Sequence, residues 1–224
     1  MIMDLFLAGI DTTAYSVIYL LYHLATHPAC QERLREELRH VQSRLGPRPP
    51  IQALDKCTYL RACTRESHRL LPVALGTGRI LDTDVTLSGY NVPAGVMMLL
   101  HNQASSRDPS QFANPDEFHP ERWLRSRTSK KETNKMGVLM DQNDGDCLIS
   151  QGSRHHPFSY LPFGYGPRMC IGRRFAEGVI NILTFKIIAN YSIKYTHNKA
   201  MDCFTRLINV PDQPLKIAFE KIES

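Results

Sequence analysis

The chain has 224 residues, 42% of them apolar and 22% charged, which excludes a wholly disordered chain, a collagen-like repeat and a polytopic membrane protein. Its 27 basic and 22 acidic side chains leave a net charge of +5. The basic residues are spread along the chain rather than gathered in a stripe, so no nucleic-acid partner is expected.

The first predicted element is a helix over residues 1–25, apolar on almost every face. Its length fits a membrane span. Asp4 and Asp11 oppose that reading, because each would cost a few kcal/mol at mid-bilayer. No basic residue precedes the apolar stretch, so a signal peptide also fits poorly. The expectation is a helix buried in the middle of a larger protein, with an N-terminal portion absent from this sequence. Within it, Gly9, Asp11 and Thr12 are poor helix formers placed in an apolar run. Two readings remain open for that cluster. One is a strained or functional site. The other is a close helix–helix contact at Gly9, with hydroxyls bonding back to carbonyls.

His27-Pro28 ends this helix, since the residue before proline avoids helical geometry. A charged surface helix is predicted over 31–44, followed by a Gly/Pro loop over 46–50. A further helix, over 57–71, places Tyr59, Cys63, Glu66 and Leu70 on one face and Arg61 and Arg65 on the opposite one. Glu66 therefore points inward and needs a cation, and Arg69 is within reach one turn on. Short strands are expected over 77–96 and a brief helix near 102–106. Residues 114–123 are rich in turn formers. Residues 130–156 read as a polar loop that ends in an exposed His155-His156. Six cysteines stand far apart with no Cys-x-x-Cys pair, so neither a zinc centre nor a disulfide framework is expected.

The strongest chemical signal is Phe163-Gly164-Tyr165-Gly166-Pro167-Arg168-Met169-Cys170-Ile171-Gly172. It precedes a helix whose predicted apolar side carries Phe175, Val179, Ile182, Leu183 and Ile187. Glycines let the backbone approach a flat ligand. Cys170 lies near a helix N-terminus, where free N–H groups stabilise a thiolate. Arg168 is suited to a carboxylate. Together these groups suit a haem, with sulfur on the iron and Arg168 on a propionate.

At this point the sequence resembles the cytochrome P-450 family of haem-thiolate monooxygenases along essentially its whole length. Residues 8–13 (Ala-Gly-Ile-Asp-Thr-Thr) resemble the oxygen-activating motif of the family's central helix. Glu66-Ser67-His68-Arg69 resembles its ExxR motif. Residues 118–123 (Phe-His-Pro-Glu-Arg-Trp) resemble the segment whose arginine, here Arg122, completes a structural Glu–Arg–Arg triad. Residues 163–172 resemble the haem signature, with Cys170 as axial ligand. The resemblance implies a mainly α fold with small β-sheets, of which this chain is the C-terminal half with the N-terminal helices missing. It further implies four landmarks: the oxygen-binding helix at 1–26, the ExxR helix at 57–71, the Cys loop at 158–172 and a helix at 172–191.

The implied activity is insertion of one oxygen atom of O2 into a lipophilic substrate, with a sterol-like molecule as one candidate. Gly9 would leave room for oxygen, and Asp11 and Thr12 would relay protons. Phe163, Gly164 and Gly172 would line the haem loop, and Arg79 would meet a second propionate. Arg61 and Arg65 resemble the basic pair with which mitochondrial members dock an adrenodoxin-type ferredoxin. This implies a peripheral place on the mitochondrial inner membrane. The alternative is an endoplasmic-reticulum member served by a flavoprotein reductase. In either case, membrane association is expected only through the missing half. A different class of reading is a truncated, non-catalytic product that binds no haem by itself.

Overall fold

The computed structural model describes residues 2–124 and 155–222. The expected loop over 130–156, including Lys130, Lys131 and Lys135, lies outside them except at His155 and His156. His156 is exposed as expected. His155 is not: its ring is half-buried and stacks on Phe112 at 4.7 Å. An imidazole offers a flat apolar face, which its polar sequence neighbours conceal.

Helix α1 (Ile2–Thr26) stops where Pro28 forbids helical geometry at His27. Pro28 then opens α2 (Pro28–Leu45) at its first turn, where a missing N–H costs nothing. Gly46, with φ +81°, closes that helix. A short α3 (Ile51–Leu54) follows, unforeseen because four residues carry no period, and then α4 (Thr58–Leu70). The strands are β1 (Thr77–Ile80), β2 (Val85–Leu87), β3 (Tyr90–Val92) and β4 (Met97–Leu100). Helix α5 (Asn102–Ser105) and helix α6 (Arg173–Ile188) come next. The chain continues through β5 (Tyr191–Tyr195), β6 (Cys203–Thr205), β7 (Asn209–Pro211) and β8 (Ile217–Lys221). The sheets are all two-stranded and antiparallel, pairing β1 with β4, β2 with β3, β5 with β8 and β6 with β7.

The main core joins Leu20 and Leu24 of α1, Leu34 and Leu38 of α2, Leu60 and Cys63 of α4, and Ile180 and Ile188 of α6. Each fully buried leucine contributes about 1.5–3 kcal/mol. A smaller cluster packs Tyr19, Leu71, Val73 and Met201. The result is a mainly helical fold with small sheets.

The burial expected of helix α1 is burial in a larger protein; within this chain residues 3–11 are exposed, and from Tyr19 to Ala25 every residue but the half-buried Tyr22 is buried. The helix is long and apolar enough to cross a membrane, but its second half packs against α4 and α6. The predicted apolar side of α6 is for the most part not the side that this chain buries. Phe175, Ile182 and Leu183 are exposed, while Gly178, Ile180, Asn181, Thr184, Phe185 and Ile188 face inward. A Cβ at Gly178 would collide with Ile51, and Asn181 donates to Asp55 at 3.0 Å. Small and polar residues make that close packing possible, and hydropathy periodicity does not register them.

Candidate functional site

Helix α4 is buried on every side but one. Only Thr58, Arg61 and Arg65 escape full burial, and the two arginines are half-buried. Glu66 faces inward, and neither it nor Arg69 has any exposed surface. Its carboxylate accepts five hydrogen bonds. Oε1 takes Arg69 Nη2 at 2.9 Å, Arg122 Nε at 2.9 Å and the His119 N–H at 3.0 Å. Oε2 takes Arg69 Nε at 3.0 Å and Trp123 Nε1 at 2.8 Å. Arg69 also donates to the carbonyls of Ser106 at 3.1 Å and Glu117 at 3.1 Å. The structure thus brings Glu66, Arg69 and Arg122 together and adds Trp123 and His119. A half-buried indole N–H needs an acceptor, which was the available signal for Trp123.

The Cys loop is folded by its own backbone. Gly164 N–H donates to Leu161 O at 3.0 Å, Met169 N–H to Gly166 O at 3.0 Å and Cys170 N–H to Phe163 O at 2.8 Å. Gly164 and Gly166 hold φ near +75° and +77°, which other residues adopt only with strain. Cys170 is exposed, whereas the other described cysteines are buried or half-buried. A Cβ at Gly172 would lie 4.0 Å from Cys170 Sγ, so a larger side chain there would begin to cover the sulfur. Phe163 makes a T-shaped contact with the His68 ring at 5.6 Å and takes the Arg173 guanidinium over its face at 5.6 Å. Burial lowers His68 to a pKa of about 4, so the imidazole is neutral near pH 7. Arg168 is exposed.

Arg79 reaches the same region from β1, where it pairs with Met98 of β4. It lines a cavity of ≈ 420 Å³ with Thr77 and His101 on one side and Leu161, Gly164 and Tyr165 of the Cys loop on the other. His101 Nδ1 accepts the Ala104 N–H at 3.0 Å and caps α5. Tyr165 lies inside the 163–172 motif, where the sequence assigned it no role, and no role was assigned to His101. On α1, Thr12 Oγ1 donates to Ala8 O at 2.7 Å, the back-bond foreseen for that hydroxyl. Asp11 is exposed. A Cβ at Gly9 would meet nothing within 4 Å, so the helix–helix contact offered for Gly9 does not occur among the described residues.

The cytochrome P450 family model matches residues 1–219. The chain belongs to the cytochrome P450 family. It is 36% identical to "Probable cytochrome P450 12a5, mitochondrial" of Drosophila melanogaster, over 99% of this chain and 39% of that protein. It is 38% identical to "Cytochrome P450 302a1, mitochondrial" of the same fly, over 96% of this chain and 39% of that protein. It is 34% identical to "Cytochrome P450 CYP12A2" of Musca domestica, over 100% of this chain and 40% of that protein. The chain spans about two-fifths of the length of these curated relatives.

The residues of this P450 chain fit a haem. Among the described residues, no three His, Cys, Asp or Glu side chains gather to hold a metal ion. Cys170 offers one accessible sulfur, which suits a metal that arrives already held by a prosthetic group. The Arg79 wall offers a guanidinium for a carboxylate. Gly166 presents bare backbone, with open space where a Cβ would stand.

Proposed function

We propose that this chain is the haem-ligating, C-terminal part of a cytochrome P450 monooxygenase, in which the Cys170 sulfur would hold the iron. The observation that carries the reading is the exposed Cys170 thiol, on a glycine-shaped loop beside the cavity that Arg79 lines. The chemistry that a bound haem supplies is activation of O2 and insertion of one oxygen atom into a lipophilic substrate. Cys170 donates electron density through its sulfur. Arg79 and Arg168 hold the two carboxylates, and Phe163, Gly164 and Gly172 shape the loop around the ligand. The Asp11 carboxylate takes protons from solvent and passes them to Thr12 Oγ1. Gly9 leaves open space on the same helix, with nothing within 4 Å of where a Cβ would stand. Glu66, Arg69 and Arg122 have a supporting role, as a buried network behind the loop.

Residues 1–26 form the oxygen-side helix, 57–71 the ExxR helix, 158–172 the Cys loop and 172–191 the region of the helix after it. Electrons come from an adrenodoxin-type ferredoxin docked at Arg61 and Arg65, on the least buried face of α4. Two of the relatives named above carry the word mitochondrial, which favours a mitochondrial location, peripheral to the inner membrane, over the endoplasmic reticulum with its flavoprotein reductase. Reversing charge at Arg61 and Arg65 should weaken ferredoxin binding in a salt-dependent way, and an unchanged affinity would sink that assignment.

The decisive experiment reduces the full-length protein under carbon monoxide. A long-wavelength Soret band of thiolate-ligated haem is expected, and Cys170→Ala should abolish it. A band that survives the substitution removes Cys170 as the ligand. The exposed apolar residues of α1 and α6 favour one second reading for the 224-residue chain alone, namely that it binds no haem by itself. Stoichiometric haem uptake by that isolated chain would contradict it.

A further inference from the structure

Asn102 opens α5, the brief helix expected near 102–106, and the sequence assigned its side chain no role. Its side-chain amide is used on both sides by a single residue of the Cys loop. Nδ2 donates to Leu161 O at 2.5 Å, and Oδ1 accepts the Leu161 N–H at 3.0 Å. This is the pairing of a β-bridge, made by a side chain. It fixes the orientation of the amide as well as its position, because a flipped amide would set two donors and two acceptors against each other.

Both ends of this link are anchored. Leu161 O also accepts the Gly164 N–H at 3.0 Å, and Cys170 N–H is held by Phe163 O at 2.8 Å. On the other side, Gln103 N–H donates to Leu75 O at 3.2 Å. Gln103 Oε1 accepts from Asn209, which is fully buried, at 3.1 Å. Just after α5, Ser106 Oγ donates to Arg69 O at 3.0 Å, and Ser106 O accepts Arg69 Nη1 at 3.1 Å. An unbroken hydrogen-bonded route therefore runs from Glu66 and Arg69 through Ser106, α5 and Asn102 to Leu161 and the Cys170 loop.

We infer that Asn102 is a positioning residue that registers the Cys170 loop against the buried Glu66–Arg69 network and the Arg79 wall. This rests on the haem-thiolate reading above. Without the Asn102 amide, α5 and the loop touch but no longer share a paired hydrogen bond. The sulfur then keeps its local turn but loses its fixed distance from the cavity wall.

The test uses the full-length haem-loaded protein with Asn102→Asp, Asn102→Ala and a control, Asn190→Ala. Asp keeps the size of Asn and one acceptor for the Leu161 N–H, but sets a second oxygen against the Leu161 carbonyl. The Asn190 side chain donates to Lys186 O at 2.8 Å, on the surface after α6. Three readouts are followed: haem loss to an apoglobin acceptor, the thiolate Soret band of the reduced carbon monoxide complex, and the midpoint potential of retained haem.

Both Asn102 variants should lose haem about tenfold faster, the ratio that about 1.4 kcal/mol corresponds to. They should also show a reduced thiolate fraction and a displaced potential, while Asn190→Ala matches the parent. The potential follows the placement of the sulfur, so a purely global loss of stability would leave it unmoved. If Asn102→Ala does not fold, Asn102→Asp carries all three readouts. Parent-like haem loss, band and potential in Asn102→Asp would overturn the inference and leave the haem-thiolate reading standing. A parent protein without the thiolate band would overturn both.

Discussion

Glu66 and Cys170 are two ends of one hydrogen-bonded route, and they are built in opposite ways. Glu66 has no exposed surface, and five donors meet its carboxylate. Cys170 is exposed, and its neighbours Ile171 and Phe175 are 88% and 77% exposed. The first arrangement closes within this chain. The second presents apolar side chains and a sulfur that nothing in the described residues covers. Stability and reactivity are thereby separated: the charged network is sealed, and the group able to ligate a metal is left accessible.

The largest effect that would break this contrast comes from Glu66→Ala. It leaves the Arg69 guanidinium buried without a carboxylate, and removing one member of such a pair costs about 3–5 kcal/mol. Urea unfolding of the chain should register that loss. A cost below about 1 kcal/mol would mean that the network is not the sealed hub described here.

The next effect is a pH dependence inside the closed region. Burial is the main cause that lowers His23 to a pKa of about 3 and His68 to about 4. Both titrate near 6.5 when unfolded. Their folded-state values are depressed, so their full contribution to stability is present above pH 6.5. Below that, the unfolded chain takes up protons that the folded chain refuses, and stability declines until pH reaches the folded values. The slope is about 1.4 kcal/mol per pH unit for each histidine. His68→Leu should therefore reduce the acid slope between pH 6.5 and 5, above the range where most carboxylates titrate. An unchanged slope would mean that His68 is accessible to protons in the folded state.

Much of the closed region could be read from the sequence, and the open region could not. Glu66 was assigned inward because its helical phase matches Tyr59, Cys63 and Leu70, and a buried carboxylate requires a cation. Its contacts to His119 and Trp123 were not foreseen, because they depend on how a turn-rich segment folds back over α4. The Gly/Cys pattern at 163–172 singled out a ligand loop, since few other combinations need two positive-φ glycines and an exposed sulfur. The brief helix at Asn102 was expected, but the role of its side chain was not, because a side chain that imitates a β-bridge has no periodicity. The buried side of α6 was hidden for the same reason. That helix is apolar on two sides, and the pattern Phe175, Val179, Ile182, Leu183 selected the side that this chain does not bury.

A smaller effect sharpens the contrast within α2. Gln31 is buried, and its amide donates to Leu24 O at 3.0 Å and Ile193 O at 2.8 Å. Its Oε1 accepts the Ile193 N–H at 2.9 Å and Arg35 Nη2 at 2.7 Å. Gln31→Ala strands buried backbone groups of α1 and β5 and should cost about 1–3 kcal/mol in urea unfolding. A neutral result would mean that water replaces the amide and that this joint is open.

The smallest effect is expected at Phe175, and it separates a helix face that matters for folding from one that does not. At 77% exposure its ring loses little contact with the protein when truncated. Phe175→Ala in the isolated chain should change stability by no more than about 0.5 kcal/mol, the range of an ordinary surface substitution. Phe185 lies on the inward side of the same helix and is 3% exposed. Phe185→Ala removes buried contacts and leaves a cavity, at a cost of about 3–5 kcal/mol. The pair shares one helix and one chemistry, so helix propensity and side-chain size cancel in the comparison. If Phe175→Ala proves as costly as Phe185→Ala, the outer face of α6 is covered in solution, and the open side of the molecule is smaller than its exposed residues suggest.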